Sequence, residues 1–251
     1  MRGLEGKGVL VSGGTRGIGT AAARRFLEER ARVYVCALEG GEVDQVIREL
    51  GGLGWIHGAP CDVRRSEEVS DVVGAADEAL EGIDILVNNA GVAWKEPFLQ
   101  ITPESWDRML EINLRGMFLV AHAVATRMVE RGRGGSIVNM ASSNALGAEE
   151  DLAHYNASKG GVVQLTRTMA VELGRHGIRV NCLCPGFIDT PLNTSLSTEE
   201  EMAAYVRERI PLARRGRTDE VAAAYAYLAS DEASFVHGAA LVVDGGQTAV
   251  M

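Results

Sequence analysis

The 251-residue sequence predicts a single doubly wound α/β domain, a Rossmann-type fold of seven parallel strands with helices on both faces. Short, β-branched apolar runs alternate with longer amphipathic segments along the whole chain. Those runs are apolar on both faces, as strands buried between two helix layers must be. A glycine-rich turn follows the first run and opens a helical pattern, the arrangement in which a helix N-terminus meets a phosphate.

Taken in order, residues 8–11 form the first strand and residues 18–29 the first helix. A strand at 33–37, a helix at 43–50 and a short strand at 53–57 follow. Residues 67–80 read as a helix leading into the fully apolar strand 83–87. Pro103 opens a long helix reaching Arg131, with Thr102 as its N-cap and the glycines of 132–135 as its stop. Strand 136–140, helix 152–175 and strand 178–183 come next. Residues 190–217 read as an insertion with its own helix at 198–209, placed as a lid over the site. A helix at 219–229 and a strand at 240–243 finish a chain without linker, repeat or low-complexity segment, so residues 1–251 are expected to form one domain.

Composition narrows the function. A formal net charge of −9 argues against nucleic acid and anionic membranes as partners. No apolar run reaches the length of a membrane span or a signal peptide. The four cysteines form no C-x-x-C pair, so neither a metal site nor a disulfide framework is expected, and a cytoplasmic location with reduced thiols follows. Glycine, 30 of 251 residues, exceeds the usual ~7%, which directs attention to where it clusters.

It clusters at Ser12-Gly13-Gly14-Thr15-Arg16-Gly17-Ile18-Gly19. The spacing is G-x-x-x-G-x-G, and its glycines allow positive φ and close backbone approach to a pyrophosphate. At the third strand, Cys61-Asp62-Val63 offers a carboxylate that could accept from an adenine amino group. Asn88-Asn89-Ala90-Gly91 ends the fourth strand as a second small-residue turn. Both lie where an open α/β sheet binds ligands, at the carboxyl ends of its strands. Tyr155 and Lys159, four residues apart, share one helix face.

Together these pieces resemble the short-chain dehydrogenase/reductase family, in particular its ketoreductase-like branch. The resemblance rests on Gly13-x-x-x-Gly17-x-Gly19, Asn88-Asn89-Ala90-Gly91, Asn113, Ser142, Tyr155-x-x-x-Lys159, Pro185-Gly186 and the ending Val243-Asp244-Gly245-Gly246. Ser12 stands where the family usually carries Thr. The resemblance implies an oxidoreductase interconverting a secondary alcohol and a ketone by hydride transfer with a nicotinamide cofactor. Tyr155 would be the general acid/base. Lys159 would lower its pKa and hold the nicotinamide ribose. Ser142 would donate to the substrate oxygen, and Asn113 would anchor a water in a proton relay. The cofactor would lie along Ser12, Gly13, Thr15, Arg16, Gly17, Ile18 and Gly19. It would continue past Ala37, Leu38, Asp62, Val63, Asn89, Ala90, Gly91, Tyr155 and Lys159 to Pro185, Gly186, Ile188 and Thr190.

The adenosine ribose end leaves NAD and NADP both open, with a slight lean to NADP. Ala37 lacks the acid of an NAD-preferring relative, and Arg16 could pair with a 2′-phosphate. Against this, Leu38 replaces the arginine common in NADP users, and Glu39 is near. If the family's layout holds, Trp94, Asn144, Phe187 and Leu192 line the substrate pocket with Ser142 and Tyr155. His154, about 100° around the helix from Tyr155, reads as non-catalytic, and Glu149-Glu150-Asp151 as a solvated helix start. Two alternatives remain. One is a 3-oxoacyl-carrier-protein reductase using Arg207, Arg209, Arg214, Arg215 and Arg217 as a docking patch; the other is a catalytically silent NAD(P)-binding regulator. Excess apolar positions on helices 103–131 and 152–175 predict a homo-oligomer, a dimer or a tetramer.

Overall fold

In the computed structural model, which describes every residue except Ser195, Ser197 and Met251 and the side chain of Val250, seven strands form one parallel sheet. They are β1 (Gly8–Ser12), β2 (Arg32–Ala37), β3 (Ile56–Pro60), β4 (Ile85–Asn88), β5 (Gly135–Met140), β6 (Ile178–Pro185) and β7 (Ala240–Val243). Their order is β3-β2-β1-β4-β5-β6-β7, so the chain reverses direction across the sheet between β1 and β4. That switch point opens a crevice at the carboxyl ends of β1 and β4, where a doubly wound sheet takes its ligand. β1 and β4 are buried along their whole length, as strands covered on both faces must be.

The helices are α1 (Gly17–Glu28), α2 (Gly40–Leu50), α3 (Ser66–Ala79), α4 (Pro103–Leu110), α5 (Met117–Arg131), α6 (Ala153–Leu173), α7 (Pro191–Thr194), α8 (Glu199–Arg209) and α9 (Thr218–Ala229). Phe26 and Leu27 of α1, Val43 and Val46 of α2 and Tyr225 of α9 fill one apolar layer. Val69 and Val73 of α3, Val120 and Val124 of α5 and Ala170 of α6 fill the other. Thr102 caps α4, its side chain accepting from the Ser105 N–H at 3.1 Å.

Two elements differ most from expectation. The third strand lies at Ile56–Pro60 and not at 53–57. It is an edge strand, paired only with β2 in the register Val33↔Ile56 to Ala37↔Pro60. An edge needs no continuous apolar run and tolerates Pro60. The long helix expected from Pro103 to Arg131 is interrupted at Glu111–Gly116 by a π-helical turn. Asn113 sits inside that turn and is fully buried. Such turns widen a helix by one residue and re-aim its side chains, often at functional sites. The segment expected as a lid carries α7 and α8, and within it Ser195 and Ser197 lie outside the described residues.

Candidate active site

At the end of β1 the chain must turn sharply into α1. Gly13 and Gly17 do so at φ +64° and +52°, the left-handed region that disfavours side chains. The turn also sits hard against its neighbours. A Cβ on Gly13 would lie 2.8 Å from Ala90 Cα, and one on Gly19 only 1.9 Å from the Gly13 carbonyl oxygen. Ser12 fastens the two sides of the switch point. Its hydroxyl donates to Asn88 Oδ1 (3.1 Å) and accepts from the N–H groups of Asn89 (3.0 Å) and Ala90 (3.2 Å). Asn89 Nδ2 donates to the Gly13 carbonyl at 3.0 Å. Arg16, the N-cap of α1, makes no side-chain cap, and this end of the helix opens on the crevice with its dipole towards any phosphate there. Gly19→Ala is therefore expected to displace the turn. Cofactor affinity, read by fluorescence of the bound reduced nicotinamide, should fall by more than about tenfold, an expectation from the closeness of the clash.

The crevice continues as a cavity of about 670 Å³ lined by the glycine turn, the Asn89-Ala90-Gly91 turn, the ends of β5 and β6, and residues of α6, α7 and α8. Its chemistry gathers where β5 ends. Ser142 lies just beyond that strand, 7% exposed, and accepts from the Asn144 N–H at 3.2 Å. Ser142 and Tyr155 line the same cavity, and the Ser142 side chain acts to lower the pKa of the phenol. One turn on, Lys159 is buried, with its Nζ 5.7 Å from the centre of the Tyr155 ring. That ammonium donates to the Met140 carbonyl at 2.9 Å. Burial brings its pKa down to about 8. Gly91 keeps the facing wall bare, because a Cβ there would lie 3.2 Å from Asn113 Oδ1 and 3.5 Å from Lys159 Nζ. Asn113 spends its carboxamide on the backbone of Val92. It accepts from the N–H and donates to the carbonyl, both at 2.8 Å, and its Nδ2 lies 3.3 Å from Ser158 Oγ.

The phenol does not follow the expectation that Lys159 lowers its pKa. Burial raises it, the Ser142 side chain pulls it down, and the negative charge of Glu149 raises it again. Burial outweighs the neighbours because the phenolate, and not the phenol, loses hydration.

Of the residues expected to hold a cofactor, Gly13, Thr15, Arg16, Gly17, Ile18, Asn89, Ala90, Gly91, Tyr155, Lys159, Pro185, Gly186, Ile188 and Thr190 line the cavity. Ser12, Gly19, Ala37, Leu38, Asp62 and Val63 do not. Ser12 and Gly19 shape the turn from behind it. Leu38, 60% exposed, stands just past the end of β2. Asp62, beyond β3, is held by Arg64 at 2.6 to 3.0 Å, which keeps its carboxyl below the usual range. Arg16 is not free: its guanidinium pairs with Glu42, whose other oxygen accepts from Thr15 Oγ1 at 3.0 Å. Of the residues expected at the substrate, Asn144, Phe187 and Leu192 line the cavity, but Trp94 does not. Its indole donates to Ser105 Oγ at 3.1 Å and packs edge-on against His154, centroids 5.3 Å apart. His154 itself is fully buried, and its Nδ1 accepts from the Tyr155 N–H at 3.0 Å.

Among the polar residues at the cavity that were not anticipated are Glu149, Tyr205 and Gln247. Glu149 does not sit in solvent at a helix start, as expected. It is half-buried, and its carboxylate accepts from the Tyr205 hydroxyl. The partners lie 56 and 98 residues away in sequence, so no local signal marks the contact. Among the described residues no three His, Cys, Asp or Glu side chains converge as a metal site, and no helix is long and apolar enough to cross a membrane.

A family model described as enoyl-(acyl carrier protein) reductase matches residues 13–248. The chain is 38% identical to the L-rhamnose-1-dehydrogenase of Scheffersomyces stipitis, over 97% of this chain and 96% of that protein. It is 37% identical to the 3-oxoacyl-[acyl-carrier-protein] reductase of Thermotoga maritima, over 97% and 98%. Its structure superposes on a short-chain type dehydrogenase/reductase from Mycobacterium marinum with a TM-score of 0.93 and 37% identity, covering 98% of this chain and 96% of that one.

Proposed function

Because the chain belongs to the short-chain dehydrogenase/reductase family, and is an NAD(P)-dependent oxidoreductase interconverting secondary alcohols and ketones, we propose that Tyr155 is its general acid/base, with Ser142, Lys159 and Asn113 completing the catalytic set. The observation that carries this reading is the meeting of the Tyr155 phenol, the Ser142 hydroxyl and the buried Lys159 ammonium in one cavity with the glycine turn.

A bound nicotinamide supplies the hydride chemistry at the carbinol carbon. In reduction Tyr155 gives its proton to the carbonyl oxygen, and in oxidation it takes the proton from the hydroxyl. Ser142 donates to the same oxygen as its negative charge grows. Lys159, one turn from Tyr155, supplies positive charge beside the phenol and donors for the ribose hydroxyls. Asn113 holds the Val92 backbone, and with it the turn that faces Lys159. The relay water would be anchored here. The glycine turn and the α1 N-terminus would hold the pyrophosphate, and Pro185, Gly186, Ile188 and Thr190 would hold the nicotinamide end. Segment 190–217 closes the substrate side as a lid.

NADP is the preferred form by a small margin. The missing acid at Ala37 removes the repulsion a 2′-phosphate would meet. Glu42, paired with Arg16, opposes the preference and keeps it within roughly tenfold. Ala37→Asp should shift the ratio of kcat/KM for the two cofactors towards NAD, by about tenfold or more. An unchanged ratio would mean that position 37 does not reach the ribose.

A carrier-protein substrate receives less support. Arg214 pairs with Glu220, Arg215 with Asp189 and Glu199, and Arg217 with Asp219 and Glu220, which neutralises three of the five arginines of the docking patch. A small alcohol or ketone fits better. Four buried free cysteines are consistent with work in the cytoplasm. Exposed Phe118 on α5 and Val171 on α6 support a dimer or tetramer assembled through those helices. The reading is tested by following the absorbance of NADPH and NADH with a panel of ketones, hydroxyketones and acyl thioesters. Turnover of small ketones is expected; tight cofactor binding without any turnover would instead support the silent regulator.

A further inference from the structure

The substrate end of the cavity carries a carboxylate that the catalytic set does not use. Glu149 is fixed with respect to Tyr155 through the residue that follows it. Asn156 Nδ2 donates to the Glu149 carbonyl at 2.9 Å, and Asn156 Oδ1 accepts from Asn144 Nδ2 at 2.9 Å. The side chain is fixed as well. Glu149 Oε1 accepts from the Tyr205 hydroxyl of α8, and Gln247 Nε2 donates to that hydroxyl at 2.6 Å. Gln247 is 2% exposed and accepts from the Phe187 N–H at 3.1 Å, while Phe187 packs on Tyr205 with ring centroids 5.0 Å apart. Tyr205 thus receives one bond and gives one, and the array holds Glu149 in place while spending Oε1 alone. Glu149 lines the same cavity as Ser142, Asn144 and Tyr155, so a substrate held at Tyr155 shares that cavity with the carboxylate. Lys95 and Glu201 also line the cavity, and Lys95 acts, after the Thr198 hydrogen bonds, to lower the Glu201 pKa.

Resting on the reading of Tyr155 as the acid/base at a substrate carbinol, we propose that Glu149 is a specificity-determining residue that accepts a hydrogen bond from a terminal hydroxymethyl group of the substrate, selecting uncharged polyhydroxylated alcohols and their ketones over acids. A fixed carboxylate is a strong acceptor for a hydroxyl. It repels a second carboxylate at the same spot, which gives discrimination by both attraction and rejection. A methyl group in place of the hydroxyl leaves the carboxylate desolvated without a new partner.

The test compares three four-carbon vicinal diols that differ only at their ends: erythritol (hydroxymethyl), meso-butanediol (methyl) and meso-tartrate (carboxylate). Oxidation is followed with NAD⁺ and NADP⁺. Wild type is expected to favour erythritol over butanediol in kcat/KM by about tenfold to a hundredfold, and over tartrate by more. Glu149→Gln should shrink the margin over tartrate, and Glu149→Ala the margin over butanediol. Should either variant fold poorly, Tyr205→Phe unfastens the carboxylate and is expected to narrow both margins. Wild-type preference for butanediol or tartrate overturns the proposal, as do margins that ignore all three variants. If wild type oxidises none of the diols yet reduces other ketones, this inference fails and the hydride-transfer reading stands. Turnover of no alcohol or ketone at all brings down that reading itself.

Discussion

Tyr155→Phe is expected to lower kcat for ketone reduction by roughly a hundredfold to ten-thousandfold, the range that a positioned proton donor contributes. The substitution removes one oxygen and keeps the ring, so the packing around α6 is preserved. The variant should still bind reduced cofactor, with its KM for the cofactor changed far less than kcat, the mark of an interaction made in the transition state. Wild type has a matching pH signature. Burial and Glu149 hold the phenol above its ordinary pKa, so Tyr155 stays protonated across neutral pH. Reduction should therefore vary little between about pH 6 and 8, while alcohol oxidation, which needs the base, climbs over the same interval. A wild type whose oxidation rate is flat there would assign the proton step to another group.

The second large effect is at Lys159, where activity and stability should move in opposite directions. Its ammonium is buried and its pKa is brought down to about 8, against an ordinary value of 10.5. Below about pH 8 the folded protein carries this charge at a cost, while the unfolded chain carries it hydrated. Between about 8 and 10.5 the unfolded chain binds more protons, so the contribution of this group to stability rises with pH across that window. The full difference is roughly 3 kcal/mol. Methionine fills similar volume without charge. Losing the bond from Nζ to the Met140 carbonyl costs about 1 kcal/mol. Lys159→Met should then be more stable than wild type at pH 7 by about 2 kcal/mol, with the gain fading towards pH 10.5, and catalytically crippled. Urea unfolding of the two proteins at pH 7 and pH 10 reads this directly. A variant less stable than wild type at pH 7 would mean that the buried ammonium is better stabilised than its surroundings indicate.

The site was legible in the sequence where function imposes local pattern. A turn that must approach a pyrophosphate needs glycines at Gly13, Gly17 and Gly19, and a phenol with a lysine one turn away needs four-residue spacing; both survive in any reading of the chain. The alternation of buried strands and amphipathic helices gave the parallel sheet on the same ground. What was hidden depends on partners far away in sequence. Glu149 looks like one of three acids at a helix start, and only Tyr205 and Gln247, folded over it, turn it into a wall of the pocket. The π turn at Glu111–Gly116 leaves the apolar periodicity of the helix nearly intact, so nothing local announces it. In the fold it brings the Asn113 carboxamide to the Val92 backbone. Edge strand β3 escaped placement because it brings little to the core: Ile56 is buried, but His57 and Pro60 are exposed. Trp94 was expected at the pocket from the family's layout. Its indole instead donates to Ser105 and packs against His154, and it does not line the cavity.

The most direct test of Tyr155 as the proton donor for hydride transfer at a carbonyl carbon is a paired isotope experiment. Wild type and Tyr155→Phe are each given a ketone and reduced cofactor carrying deuterium at the transferring position of its nicotinamide ring, and the alcohol is analysed for label. Deuterium on the carbinol carbon in the wild-type reaction, with labelled alcohol from the variant forming at least a hundredfold more slowly, is the predicted result. Labelled alcohol forming at the wild-type rate in the Tyr155→Phe reaction would contradict it.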